Sequence, residues 1–95
     1  MKEIKTSKGV LKYRMPNLLE AYDLLEESGV NDKVSNLKLK RNIIKAMGEL
    51  IDCSGIEGQP AYNDLLNDIE DMAKPLSDIA DEVILKAFGA LKKKS

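Results

Sequence analysis

Cys53 is the one side chain in these 95 residues with the makings of a strong nucleophile, and the chain has no histidine to activate it. Ser-His and Cys-His catalysis and histidine general-base chemistry are therefore closed to a single copy of this chain. Zinc sites of the usual Cys/His kinds are closed as well. A lone cysteine in such a setting reads as a small half-buried hydrophobe, and it points to a reducing compartment because no internal disulfide can form. Asp64, Asp68, Glu70 and Asp71 invite a calcium reading. However, the i, i+4, i+7 spacing of Asp64, Asp68 and Asp71 puts them on one helical face, without the glycine of a calcium loop. A solvated acidic face is expected there. Gly55-Ile56-Glu57-Gly58 lacks the Lys-Ser/Thr ending of a phosphate loop and reads as a turn. No catalytic residue, metal or cofactor is expected, so the chain reads as a non-enzyme.

Binding chemistry is better represented. Lys33, Lys38, Lys40, Arg41 and Lys45 form a basic stretch without an acid, whereas residues 57–82 carry eight acids against Lys74 alone. Such blocks pair within one fold or between copies. The basic block opens a helix, where the backbone dipole disfavours it, which suggests a neighbouring or external partner. A regulatory or adaptor module, DNA-associated through residues 33–45, is the alternative reading this supports. Lys92-Lys93-Lys94 is too short for a lipid-recognition cluster, lacks interleaved aromatics for nucleic acid, and suits a helix C-terminus.

The elements that hold these residues follow from periodicity. Ile4-Lys5-Thr6 and Val10 to Met15 alternate around Lys8-Gly9, predicting a hairpin over 2–15 with Thr6 opposite Leu11, Ile4 opposite Tyr13 and Glu3 meeting Arg14. Pro16 ends it. Asn17 and Glu20 form a capping box for a helix over Leu18–Ser28, with Gly29 as its stop and Val30 folding back on Leu25. After a connector, Asn31 to Ser35, a second helix is expected over 36–51 with Leu39, Ile43, Ala46, Met47 and Leu50 inward. Residues 52–60 are the main loop. A third helix over 61–73 presents Tyr62, Leu65, Leu66, Ile69 and Met72, and Pro75 kinks it or opens a fourth.

That fourth helix carries one apolar stripe, Leu76, Ile79, Ala80, Val83, Ile84, Ala87, Phe88 and Leu91, at steps of three and four. Its first half is expected to close the core, while Val83, Ala87, Phe88, Leu91, Lys92, Lys93 and Lys94 are the candidate partner contacts. The fold class is α+β, mostly α: an N-terminal β-hairpin packed on a bundle of about four helices in one domain, with a hairpin at 2–15, a helical body at 17–91 and a basic tail at 92–95. A chain this short buries only roughly 60–65% of its unfolded surface, so partner contacts belong to its expected stability. Its 15 basic and 16 acidic side chains nearly cancel, which argues against nucleic acid as the main partner. No apolar run reaches signal-peptide or membrane-span length, so no membrane association is expected.

The order of pieces resembles the small tail assembly chaperones of long-tailed bacteriophages. The likeness lies in a short hairpin leaving through Arg14-Met15-Pro16-Asn17, an all-helical body, and Ile56-Glu57-Gly58 shortly before Tyr62-Asn63-Asp64-Leu65-Leu66. It continues in Ile79-Ala80-Asp81-Glu82 leading to Ala87-Phe88-Gly89 and a lysine-rich end. The resemblance implies a non-enzymatic role in virion assembly in the host bacterial cytoplasm, with the protein absent from the mature virion. It implies as partners the tape-measure protein and the tail-tube protein, together with self-association, and in many members a longer frameshifted form. No contact residue is transferred by it.

Overall fold

The computed structural model of the protein describes residues 1–28 and 36–92, and for residues 28, 36, 88 and 90–92 it describes the backbone alone. Gly29, the Val30–Leu25 contact, the 31–35 connector, Lys93 and Lys94 lie outside the described residues. The elements run β1 (Lys2–Thr6), β2 (Gly9–Tyr13), α1 (Leu18–Ser28), α2 (Asn36–Ala46), a 3-10 turn (Met47–Leu50), β3 (Ile51–Asp52), α3 (Tyr62–Leu65) and α4 (Ile69–Lys92). The fold is α+β and mostly α, with one antiparallel sheet in the order β1-β2-β3.

The hairpin forms with the expected faces and different partners. Ile4 stands opposite Leu11, Lys2 opposite Tyr13 and Glu3 opposite Lys12, two residues from the expected register. A slip of two keeps every side chain on its face, because the strand period is two. Leu11 and Tyr13 accordingly face the core, with Ile4 packed beside them. The cause is the turn, which is Ser7-Lys8 rather than Lys8-Gly9. The Thr6 hydroxyl closes it, accepting the Lys8 N–H at 3.1 Å and donating to the Gly9 carbonyl at 2.9 Å. Gly9 is instead the first residue of β2, with φ +134°, where a side chain would strike the Gly55 carbonyl.

Arg14, left without Glu3, binds Glu20 through two parallel N–H···O bonds of 2.7 and 2.8 Å. Glu20 also completes the expected capping box. The Glu20 N–H donates to Asn17 Oδ1 at 2.9 Å, and Glu20 Oε1 accepts the Asn17 N–H at 3.1 Å. The Arg14 guanidinium, and after it the Asn17 amide, bring the Glu20 carboxyl from 4.5 down to about 2. A carboxyl lowered in the fold stabilises it above its unfolded value, and that contribution fades as pH falls through the folded value. Melting temperature should therefore drop between about pH 4.5 and 2. Glu20→Gln should flatten that part of the curve, and an unchanged slope in the variant would contradict the assignment. Asn17→Ala should cost about 1 kcal/mol at neutral pH by denaturant unfolding.

The second helix stops five residues earlier than its apolar pattern suggests. Ile51 and Asp52 leave it to pair with Tyr13 and Lys12 as β3. The hydrophobic stripe did not reveal this, because Ile43, Met47 and Leu50 stay buried through the change from α-helix to 3-10 turn. The Tyr62 hydroxyl donates to the Ile44 carbonyl, one of the acceptors that a helix end leaves unpaired. Its ring lies against Gly48, where a Cβ would come within 3.0 Å. The expected loop at 52–60 then continues alongside β2. The Val10 N–H donates to the Gly55 carbonyl (3.1 Å), the Glu57 N–H to the Lys8 carbonyl (2.8 Å), and Ile56 is buried.

Pro75 neither opens a helix nor ends one. The expected third helix is a single turn, α3, followed by a tight turn in which the Asp68 N–H reaches the Leu65 carbonyl at 3.0 Å. Asp68 caps α4, accepting the Asp71 N–H at 3.2 Å, and α4 runs 24 residues straight through Pro75. Its stripe meets the sheet and α2 in one core of Leu11, Tyr13, Ile43, Met47, Leu50, Ile56, Met72, Leu76, Ile79, Ala80 and Val83. A second cluster, Ala21, Leu25 and Ala87, joins α1 to α4 further along. No helix among the described residues is long and apolar enough to cross a membrane.

Candidate functional site: an apolar groove beside a basic helix

The acidic block is claimed mainly from within. Break and cap together dissolve the acidic face expected of Asp64, Asp68 and Asp71, since Asp64 now belongs to a separate turn. Lys8, at the hairpin tip, reaches Asp68 at 2.6 Å and Asp71 at 3.5 Å, and Ser7 donates to Asp71. The Lys8 ammonium, and then the Asp71 amide, hold the Asp68 carboxyl below its ordinary value. Further along α4, Lys2 pairs with Glu82, whose other oxygen accepts the Tyr13 hydroxyl at 2.8 Å. Lys40 of α2 reaches Asp81 at 2.9 Å and donates to Ser77 at 2.9 Å. These contacts tie the sheet and α2 to α4, and they account for the charge segregation more fully than any ligand site does. Among the described residues, no group of three or more acids and cysteines gathers as a metal site.

Cys53 is half-buried against the core, and burial pushes its thiol above the ordinary value, with Asp52 adding to the shift. That is the reverse of what activates a nucleophile.

The groove lies on the other side of α2. Leu37, Arg41 and Ile44 form one wall and Leu66 the other, around a space of about 560 Å³ rimmed by Lys38, Lys40 and Lys45. A smaller hollow of about 190 Å³, lined by Ile69 and Ala73 among others, continues it along the start of α4, sharing Ile44 and Leu66. Leu37 is 80% exposed and Ile69 is 77% exposed. Two large aliphatic side chains left open on either side of a shared apolar floor are unusual on a chain this small. Arg41 and Lys45 form no ion pair or hydrogen bond among the described residues.

The chain matches no family model, no curated protein and no solved structure. The reading of this site rests on its geometry and on the resemblance noted in the sequence.

A second cleft, about 400 Å³, lies between α1 and the 3-10 turn. Glu20, Asp23, Glu27 and Glu49 surround it with Lys45, and its polar lining offers an apolar partner little.

Against the partner contacts expected from sequence, Val83 and Ala87 are core, at 0% and 1% exposed. This corrects the expectation for both: the sheet and α2 cover Val83, and α1 covers Ala87, so neither is open to another chain. The distal stripe therefore does more core work than its position near the chain end suggested. The side chains of Phe88, Leu91 and Lys92, and all of Lys93 and Lys94, lie outside the described residues. The groove residues were passed over for two reasons. Leu37 lies off the α2 stripe, and Ile69 was assigned to the buried face of a helix that breaks just before it. The available signal was an apolar residue standing alone within a basic block.

Proposed function

We propose that the protein is a non-enzymatic tail assembly chaperone of a long-tailed phage, acting in the host bacterial cytoplasm. It holds helical segments of the tape-measure protein, helps tail-tube subunits assemble, and leaves before the virion is complete. The observation that carries this reading is the groove between α2 and the start of α4. It has an apolar floor with exposed Leu37 and Ile69 at its edges and a cationic rim, which is the form of surface that takes the apolar face of an amphipathic helix. The resemblance in the order of pieces supplies the client. The same basic residues suggested DNA contact, but an aliphatic floor among them favours a protein helix over a phosphate backbone.

Co-expression with the tape-measure protein encoded beside it tests the reading. The tape-measure protein should move from the pellet to the soluble fraction and co-purify with the chain. A tape-measure protein that stays insoluble at equal expression would overturn the assignment.

A further inference from the structure

We infer that, when no client is present, the groove is filled by the outer face of α1 from a second copy of the chain. The inference rests on the reading of the groove as a helix-binding surface, and it adds how that surface is covered between clients. On α1, Leu18, Leu19 and Tyr22 are 43%, 73% and 44% exposed, an apolar ridge on a helix whose opposite face is buried. Exposed Asp23, Glu26 and Glu27 flank it, and none of the three has an ion pair or hydrogen bond among the described residues. The groove presents the converse, an aliphatic floor with Arg41 and Lys45 uncommitted at its rim. Two surfaces of one molecule thus match in both apolarity and charge.

They cannot meet within one copy. α1 lies along the flank of α2 that carries Asn42 and Ala46, where Glu27 and Lys45 line a shared hollow. Leu37, Arg41 and Ile44 point from another side of the same helix. Because the contact joins two different surfaces, it runs head to tail and does not close at two copies. A single helix face laid in a groove belongs at the low end of specific interfaces, about 1,200 Å² in total, so association should be concentration-dependent and sensitive to salt.

Sedimentation velocity on the full chain tests this with two charge-reversed variants, Arg41→Glu/Lys45→Glu and Asp23→Lys/Glu26→Lys. All four positions are exposed, and thermal melts establish that each variant folds. Wild type should pass beyond dimer as concentration rises and shrink at high salt. Each variant alone should stay monomeric, because acid then faces acid or base faces base. An equimolar mixture should associate again, since each variant offers the face that the other has lost. A wild type that is monomeric throughout would overturn the inference. So would a closed dimer broken by the α1 changes alone, or a mixture that fails to associate. A chain that solubilises its client yet never self-associates would overturn this inference and leave the chaperone reading standing.

Discussion

Val83→Asp should leave no folded protein at room temperature. Val83 is fully buried on α4 between Ile79 and Ala87, in the core shared with Leu11 of the sheet and Ile43 and Met47 of α2. An uncompensated buried carboxylate costs about 3–5 kcal/mol, before counting the apolar contact that is lost. A domain of this size has about 5–15 kcal/mol in all and, with a core short of aromatic mass, belongs toward the lower end. Leu85→Asp, two residues further on at a position 74% exposed, should change stability by less than about 0.5 kcal/mol. Circular dichroism and thermal melts of the two variants make the comparison. A cooperative melt retained by Val83→Asp would mean that the stripe is open surface, as its position near the chain end had suggested.

Gly9→Ala should be the most damaging conservative change in the chain. A Cβ there would sit 2.2 Å from the Gly55 carbonyl oxygen, on a backbone at φ +134°. The obstacle is main chain on both sides, so segment 53–57 must move away from β2. That movement breaks the Val10 N–H bond to Gly55 and the Glu57 N–H bond to Lys8, and it lifts buried Ile56 out of the core. Strain of about 1–3 kcal/mol and roughly 1 kcal/mol for each hydrogen bond give a loss of about 3–5 kcal/mol. Gly55→Ala should behave alike, because its Cβ would meet the Val10 carbonyl at 2.4 Å. Gly89→Ala should do the reverse, gaining about 0.5–1 kcal/mol, since that glycine sits inside α4 with open space where a side chain would go. Urea midpoints for the three variants should fall in that order, and a Gly9→Ala midpoint near wild type would contradict the described packing of 53–57 on β2.

Local signals carried most of what was legible in the sequence. The Asn17–Glu20 capping box bounds the start of α1 correctly, and its bonds form between neighbours whose spacing is visible in the residue string. The face of each hairpin strand was legible because alternation fixes it, whereas the register was not. Register depended on whether Gly9 served the turn or the contact with Gly55, which is 46 positions away in sequence. The same non-local reason hid β3. Ile51 continues a helical stripe, and only the open edge of β2 turns it into strand. Asp68 was read as one of several acids on a helix face and proves to be the cap that starts α4, a role decided by the break after Leu65.

The site was less legible than the fold. Periodicity identifies which face of a helix is buried, and the stripe at 76–87 was found because it is core. An exposed docking surface leaves no such period. Leu37, Ile44, Leu66 and Ile69 come from separate elements, and each appears as an isolated apolar residue until α2 and α4 are laid side by side.

The chaperone account is tested most directly by blocking the groove without touching the core. Leu37→Glu/Ile69→Glu changes two of the most exposed aliphatic positions and should melt as wild type does. Co-expressed with the tape-measure protein at matched levels, wild type should keep the client soluble and bound, while the variant should leave it in the pellet. A variant that holds the client as well as wild type does would place client binding elsewhere and contradict the account.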